Sequence, residues 1–243
     1  MRLKDRYAFV TGASGGIGRE IAKQLAADGF HLYLQYFQGE KEIRQLIDEL
    51  ADLHVDLIPI QADFCDPASL EKMMANIFQL DVFVHAAGQS RYGLLEETSD
   101  QDMTMLWDTH LRMPMRLLRH LLPKLRTSEC GRIIFISSIW GEIGAAMEVA
   151  YSAVKGGQIA FCRALSKEVA DQKITVNCIT PGAVDTQMMQ GFSREDIRQL
   201  EADIPFGRLA KSEEIAKVVS FLVSEKAGYI TGQTVGVNGG WHM

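Results

Sequence analysis

Tyr7-Ala-Phe-Val-Thr-Gly-Ala-Ser-Gly-Gly-Ile-Gly18 joins a short apolar run to a glycine-rich turn, and its reading decides the fold. Tyr7–Val10 has the length and composition of a buried strand. The glycines at 12, 16 and 18 permit a tight turn and let backbone N–H groups approach a pyrophosphate. The helix that opens at Ile17 turns its positive end toward that anion. A glycine-rich turn alone is weak evidence. This one lies between a strand and a helix at the head of a βαβ pattern, the setting of a dinucleotide site. Gly12, Ser14, Gly15, Gly16, Ile17 and Gly18 are therefore candidate cofactor contacts.

The alternation continues outward along the whole chain. Apolar runs predict strands near 7–11, 31–36, 57–61, 82–86, 131–137, 174–179 and 233–237. Amphipathic stretches predict helices near 17–28, 40–53, 68–78, 100–125, 149–171 and 212–224. Gly29 suits the C-cap of the first helix, and Pro123 should bend or end the fourth. The expectation is one α/β domain over residues 1–243: a Rossmann-type, doubly wound, parallel seven-stranded sheet with helices on both faces. Residues 186–206 form an extra segment before the last long helix. Ligands of such sheets bind beyond the carboxyl ends of the strands. That rule gathers Gly12–Gly18, Tyr36, Asp63, Ala86–Gly88, Ser138 and Pro181–Thr186 along one edge.

Ser138 ends the run Arg132–Ser138, and Tyr151-Ser-Ala-Val-Lys155 sets a phenol and an ammonium one helical turn apart. The three can converge on one carbonyl oxygen. Ser138 would donate a hydrogen bond to it, and Tyr151 would give or take the proton. Lys155 is expected to stabilise the phenolate and bring the Tyr151 pKa down toward neutrality.

Composition narrows the class. A net charge of −6, with no basic run carrying interleaved aromatics, argues against a nucleic-acid surface. Cys65, Cys130, Cys162 and Cys178 show no metal-ligand spacing and read as reduced thiols. Residues 1–6 are polar, and Tyr7–Val10 is too short for a signal sequence or membrane span, so a cytoplasmic location is expected.

Thr11–Gly18, Ala62-Asp63, His85-Ala-Ala-Gly88, Ser138, Tyr151-x-x-x-Lys155, Pro181-Gly182 and Val237-Asn-Gly-Gly240 together resemble the short-chain dehydrogenase/reductase family. The likeness covers nearly the whole chain. In general course it resembles the 3-oxoacyl-carrier-protein reductases. Ser138-Ile-Trp-Gly-Glu142, Pro181–Thr186 with Met188-Met189, and Asn238-Gly-Gly-Trp-His242 look closer to the elongation factor P 5-aminopentanone reductases. The resemblance implies a homotetramer and a ketone substrate carried on a protein, elongation factor P or acyl carrier protein. It implies that Asp63 meets the adenine, Ala87 and Gly88 the adenosine ribose, and Tyr151 and Lys155 the nicotinamide ribose. Val184 and Thr186, after the cofactor-side pair Pro181-Gly182, would hold the nicotinamide carboxamide. In Leu34-Gln-Tyr-Phe-Gln-Gly-Glu-Lys41, at the end of the second strand, no acid occupies the first loop positions, whereas Gln35, Tyr36, Gln38 and Lys41 are donors, so NADPH is favoured over NADH. Gly15, often Arg in phosphate-binding relatives, counts against it.

Two departures stand out. His85-Ala86 replaces an Asn-Asn pair, so its bracing role does not carry over. His110 replaces the asparagine of the family's catalytic tetrad. It either keeps that proton relay, with a pH dependence near neutrality, or is a packed helix histidine. Between Ser138 and Tyr151, Trp140, Glu142 and Glu148 border the substrate. A carboxylate there suits a substrate bearing an ammonium group, unless it merely faces solvent. Thr186–Ala202 reads as a mobile apolar lid or as core-facing helix. Ala150, Ala153, Gly156, Gly157 and Ala160 offer a small-residue face for a subunit contact.

Overall fold

The computed structural model describes residues 5–243; residues 1–4 of the polar leading segment lie outside the described residues. The strands are β1 (Arg6–Thr11), β2 (Phe30–Tyr36), β3 (Leu57–Gln61), β4 (Val82–His85), β5 (Arg132–Ile136), β6 (Thr175–Pro181) and β7 (Thr234–Val237). All pair in parallel, in the order β3-β2-β1-β4-β5-β6-β7. The helices are α1 (Gly16–Ala27), α2 (Glu40–Leu50), α3 (Ser69–Asn76), α4 (Asp100–Trp107), α5 (Met113–Leu125), α6 (Trp140–Ile143), α7 (Val149–Glu168), α8 (Arg194–Asp203) and α9 (Ser212–Val223).

Successive strand residues face opposite sides, and each side is buried under helices. Ala8, Val10, Leu32, Leu34, Val84 and Ile134 pack with Ile21 and Leu25 of α1, Leu46 of α2 and Val219 of α9. Phe9, Tyr33, Phe83, Ile133 and Phe135 pack with Met73 of α3, Leu117 and Leu121 of α5, and Ile159 of α7. The expected doubly wound α/β sheet is therefore the observed one.

Three features differ from expectation. The helix over 100–125 is interrupted by a π-helical turn at Asp108–Arg112. Its cause lies in the sequence. Pro114 has no N–H to give the carbonyl of His110, four residues before it, and its ring crowds that oxygen. The turn widens, and the freed His110 carbonyl accepts a hydrogen bond from Gln158 Nε2 instead (2.9 Å). Pro123 sits in the last turn of α5 and leaves it intact to Leu125. Secondly, α8 arises within the extra segment, started by Ser193, whose hydroxyl accepts from Asp196 N–H (3.2 Å). It buries none of its described side chains, which excludes the core-facing alternative for this segment. Finally, two of the small residues of α7 serve the chain's own packing. A Cβ on Gly157 would stand 2.8 Å from Leu111 Cδ1, and one on Gly156 would stand 3.1 Å from the Gly141 carbonyl of α6. Of that stripe, Ala153 and Ala160 remain exposed.

Phe83 is fully buried and meets Phe9 edge-to-face at 5.7 Å between ring centres. Phe83→Ala should lower the unfolding free energy by about 3–5 kcal/mol. Urea unfolding with an unchanged slope checks this.

Candidate active site

The strand order reverses between β1 and β4, and the loops after them meet at one crevice. Gly12 has φ +69°, and a Cβ there would lie 2.6 Å from Ala87 Cα. A Cβ on Gly18 would lie 2.2 Å from the Gly12 carbonyl oxygen. These two glycines are thus required by the protein's own packing. Gly15, the N-cap of α1, would meet only the Gly12 carbonyl, at 3.4 Å, and no side chain caps α1. The first-turn N–H groups of α1 are therefore free for an anion, and the cradle fits a pyrophosphate. Ser14 donates to the Gln38 carbonyl (3.0 Å), folding the loop after β2 over this turn.

Around the cradle the expected contacts divide. Asp63 Oδ1 accepts from Cys65 N–H (2.9 Å), which builds its own turn. Gln35 is not a cofactor donor. Its Oε1 accepts from Gly12 N–H (2.9 Å) and its Nε2 donates to the Ala62 carbonyl (2.8 Å), bracing three strand ends from within the core. Tyr36 is largely buried on the α1 side, while Gln38 and Lys41 are exposed at the rim. Gly16 packs on Thr186, where a Cβ would come within 2.8 Å of Cγ2, and Val184 is buried and bridged to Ala210. Gly182 lies beneath Asn238 and Trp241.

On the opposite wall, Ser138 follows β5, and Tyr151 and Lys155 lie on α7; all three are buried. Ser138 Oγ accepts from Trp140 N–H (3.1 Å), which leaves its own proton to donate. Lys155 Nζ donates to the Ile136 carbonyl (2.8 Å) and stands 5.4 Å from the centre of the Tyr151 ring. Burial lowers the Lys155 pKa to about 8. The Tyr151 pKa is not brought toward neutrality. Burial raises it well above the ordinary phenol value, and the Glu148 carboxylate raises it further. Removing a phenolate from water outweighs the ammonium's help. The site thus holds a neutral phenol beside a cation, an arrangement suited to giving a proton.

His110 is fully buried in the π turn. Its Nε2 bonds the Gln89 carbonyl (3.0 Å), so Nε2 carries the proton and Nδ1 is an unpartnered acceptor. Its ring meets that of Tyr151 edge-on at 5.5 Å and explains Gly88, where a Cβ would lie 2.4 Å from His110 Cε1. Burial first, and the Lys155 charge second, lower its pKa to about 3. The expected titration near neutrality is therefore wrong; His110 stays neutral and can act only as donor and acceptor. His85 takes over the bracing of the strands. Its Nδ1 bonds Thr11 Oγ1 (2.9 Å), which also accepts from Ala86 and Ala87 N–H (3.2 Å each).

The side of the crevice where Trp140, Glu142 and Glu148 were expected is built from α6, the start of α7, the loop after β4 and the last described residues. Trp140 meets Trp241 edge-on at 5.1 Å, and Glu142 Oε2 stands 3.8 Å from His242 Nε2. Glu148 accepts a hydrogen bond from Ser90. Tyr92 and Phe192 meet at 6.3 Å, so the loops after β4 and β6 touch across the mouth. Ser90, Tyr92 and Gln158 carry no motif that sequence reading could have found, and the motif holding Trp241 and His242 gave no sign of their contacts with Trp140 and Glu142. The π turn was legible in Pro114.

Two outcomes follow from these charges. Reductive kcat/KM should hold at neutral pH and fall as pH rises through about 8, where Lys155 loses its proton. His110→Ala should lower kcat about tenfold or more, keep the same alkaline limb and leave cofactor affinity intact. Steady-state pH profiles and fluorescence titration with the dinucleotide test both. A wild-type kcat would remove His110 from the mechanism.

Comparison with known proteins places these features. A family model described as enoyl-(acyl carrier protein) reductase matches residues 12–242. An uncharacterized oxidoreductase, YmfI of Bacillus subtilis, is 41% identical over 240 residues, covering 98% of this chain and 99% of the relative. The 3-oxoacyl-[acyl-carrier-protein] reductase FabG of Salmonella typhimurium is 37% identical over the whole of both chains. Among solved structures, a blue fluorescent protein from a metagenomic library in complex with NADPH superposes over the whole of both chains. Its TM-score is 0.92 and its identity 30%. Sharing this sequence course from end to end, as well as the crevice it forms, the chain belongs to the short-chain dehydrogenase/reductase family of oxidoreductases, in its 3-oxoacyl-carrier-protein-reductase-like group.

Proposed function

We propose that this chain is an NADPH-dependent ketone reductase whose substrate is the 5-aminopentanone group on a lysine of elongation factor P. The observation that carries this reading is the placement of Tyr151, buried with Lys155 Nζ 5.4 Å from its ring centre; burial raises its pKa, which supports a phenol that gives a proton. A ketone oxygen gaining charge needs an acid, and a phenol in that state is one. Bound in the cradle at Gly12–Gly18, NADPH supplies hydride to the carbonyl carbon. Ser138 donates a hydrogen bond to the oxygen, Tyr151 gives it a proton, and Lys155 stabilises the phenolate left behind. His110 Nδ1 accepts in the chain that returns the proton. The exposed Gln38 and Lys41 at the end of β2, with no acid among the first loop positions, support NADPH over NADH.

The aminoketone is supported by the carboxylates of Glu142 and Glu148 between Ser138 and Tyr151, where an acyl chain gains nothing from a negative charge. Contact between Tyr92 and Phe192 supports reading 186–206 as a lid over a substrate presented by a carrier. The enzyme is proposed to work as a homotetramer in the cytoplasm, and its four cysteines, all free, suit a reducing compartment. The second reading, 3-oxoacyl-carrier-protein reductase of fatty-acid synthesis, is favoured by the name of the Salmonella relative.

NADPH consumption with elongation factor P bearing the 5-aminopentanone group, run beside an acetoacetyl thioester, separates the two. Fast turnover on the modified protein with little on the thioester is the expected result. The reverse would move the enzyme to fatty-acid synthesis.

A further inference from the structure

We propose that Glu148, braced by Ser90, is the group that binds the substrate's ammonium, and that it sets the preference for a cationic ketone. The inference rests on the aminoketone reading above and assigns its charge recognition to one of the two carboxylates. Tyr151 and Lys155 share one face of α7, and Glu148, the residue that opens the helix, lies three positions before the proton donor and close enough for its charge to raise the Tyr151 pKa.

Glu148 is the N-cap of α7, yet its side chain does not cap the helix. A carboxylate at that position ordinarily takes the free N–H groups of its own first turn. Here Oε1 instead accepts from the Ser90 hydroxyl, which belongs to the loop after β4, while Oε2 accepts nothing among the described residues. The residue before it, Met147, has φ +63°, a conformation costly for a side chain of that size. It is held there because its carbonyl accepts from Gly93 N–H (2.8 Å) in the same loop. The two walls are thus tied at two adjacent residues, and the tie aims Glu148 across the cleft.

The neighbouring guanidinium and imidazole are engaged elsewhere. Arg91, next to Ser90, pairs with Asp102 (2.7 Å), and His242 stands against Glu142. Glu148 therefore presents a half-buried carboxylate with no cationic partner among the described residues, whereas Glu142 already faces the imidazole of the chain's end. The exposed Tyr92, Met188 and Phe192 line the approach with apolar surface for an alkyl stem. The charge of Glu148 also reaches the reaction. It helps to raise the Tyr151 pKa, so an ammonium seated on Glu148 would offset that effect and ease proton transfer to the ketone.

The test uses purified wild-type, E148Q and E148D with NADPH and two ketones. One is a methyl ketone ending in a primary ammonium, on a chain too long to cyclise; the other is its neutral terminal-hydroxyl analogue. The wild type should prefer the cation. E148Q should lose about tenfold or more of that preference, chiefly through KM, while E148D should keep part of it. A wild type that prefers the cation beside an E148Q that prefers it equally would overturn Glu148 as the receptor and leave the aminoketone reading standing. A wild type with no preference for the cation would overturn both.

Discussion

Parallel pairing of β1 with β4 reverses the winding of the sheet, and at that reversal no helix crosses the carboxyl ends of the strands. Two loops are left to close on each other there. Thr11, at the last position of β1, holds His85, Ala86 and Ala87 through one hydroxyl, and Gly12 packs directly on Ala87. Gln35 adds the end of β2 and the residue after β3 to the same knot. A crevice tied at so many backbone positions is rigid before any ligand arrives, which is what precise placement of two reactants requires.

Burial then sets the chemistry. Lys155 is taken out of water yet keeps a carbonyl partner, and its pKa falls; Tyr151 is taken out of water and its pKa rises. Both shifts have the same main cause, the cost of charge in a poorly solvated place. Their product is a neutral acid next to a cation that can stabilise the anion once the proton has left. Glu148, three positions earlier in the chain, opposes that anion, so the charge of whatever sits between Glu148 and Tyr151 bears on the proton transfer.

The π turn shows how a change in one residue type spreads. Pro114 denies the His110 carbonyl its helical donor, and the carbonyl turns to Gln158 on α7. With the turn widened, the imidazole reaches inward against Gly88 and Tyr151, where burial holds it neutral. An imidazole in this position offers a lone pair and a single proton, with its charge held off by burial.

The sequence by itself determined the alternation of strands and helices, the glycine turn, and the triad of Ser138, Tyr151 and Lys155. These rest on local patterns: two-residue and 3.6-residue periodicity, and functional groups at fixed short intervals. The start of α8 at Ser193 and the break before Pro114 were equally local. Only the tertiary structure decided which glycines pack on protein and which leave room for an anion, since Gly12, Gly15 and Gly18 are alike in the sequence and differ in what stands 2–4 Å away. It alone set the protonation of Tyr151 and His110, because desolvation depends on every element that covers a group. It alone brought Ser90 to Glu148 and Trp241 to Trp140, partners 58 and 101 residues apart along the chain. Contacts between the walls of a cleft leave no periodic trace in either wall, and so they become visible only when the sheet has folded and set the two loops side by side.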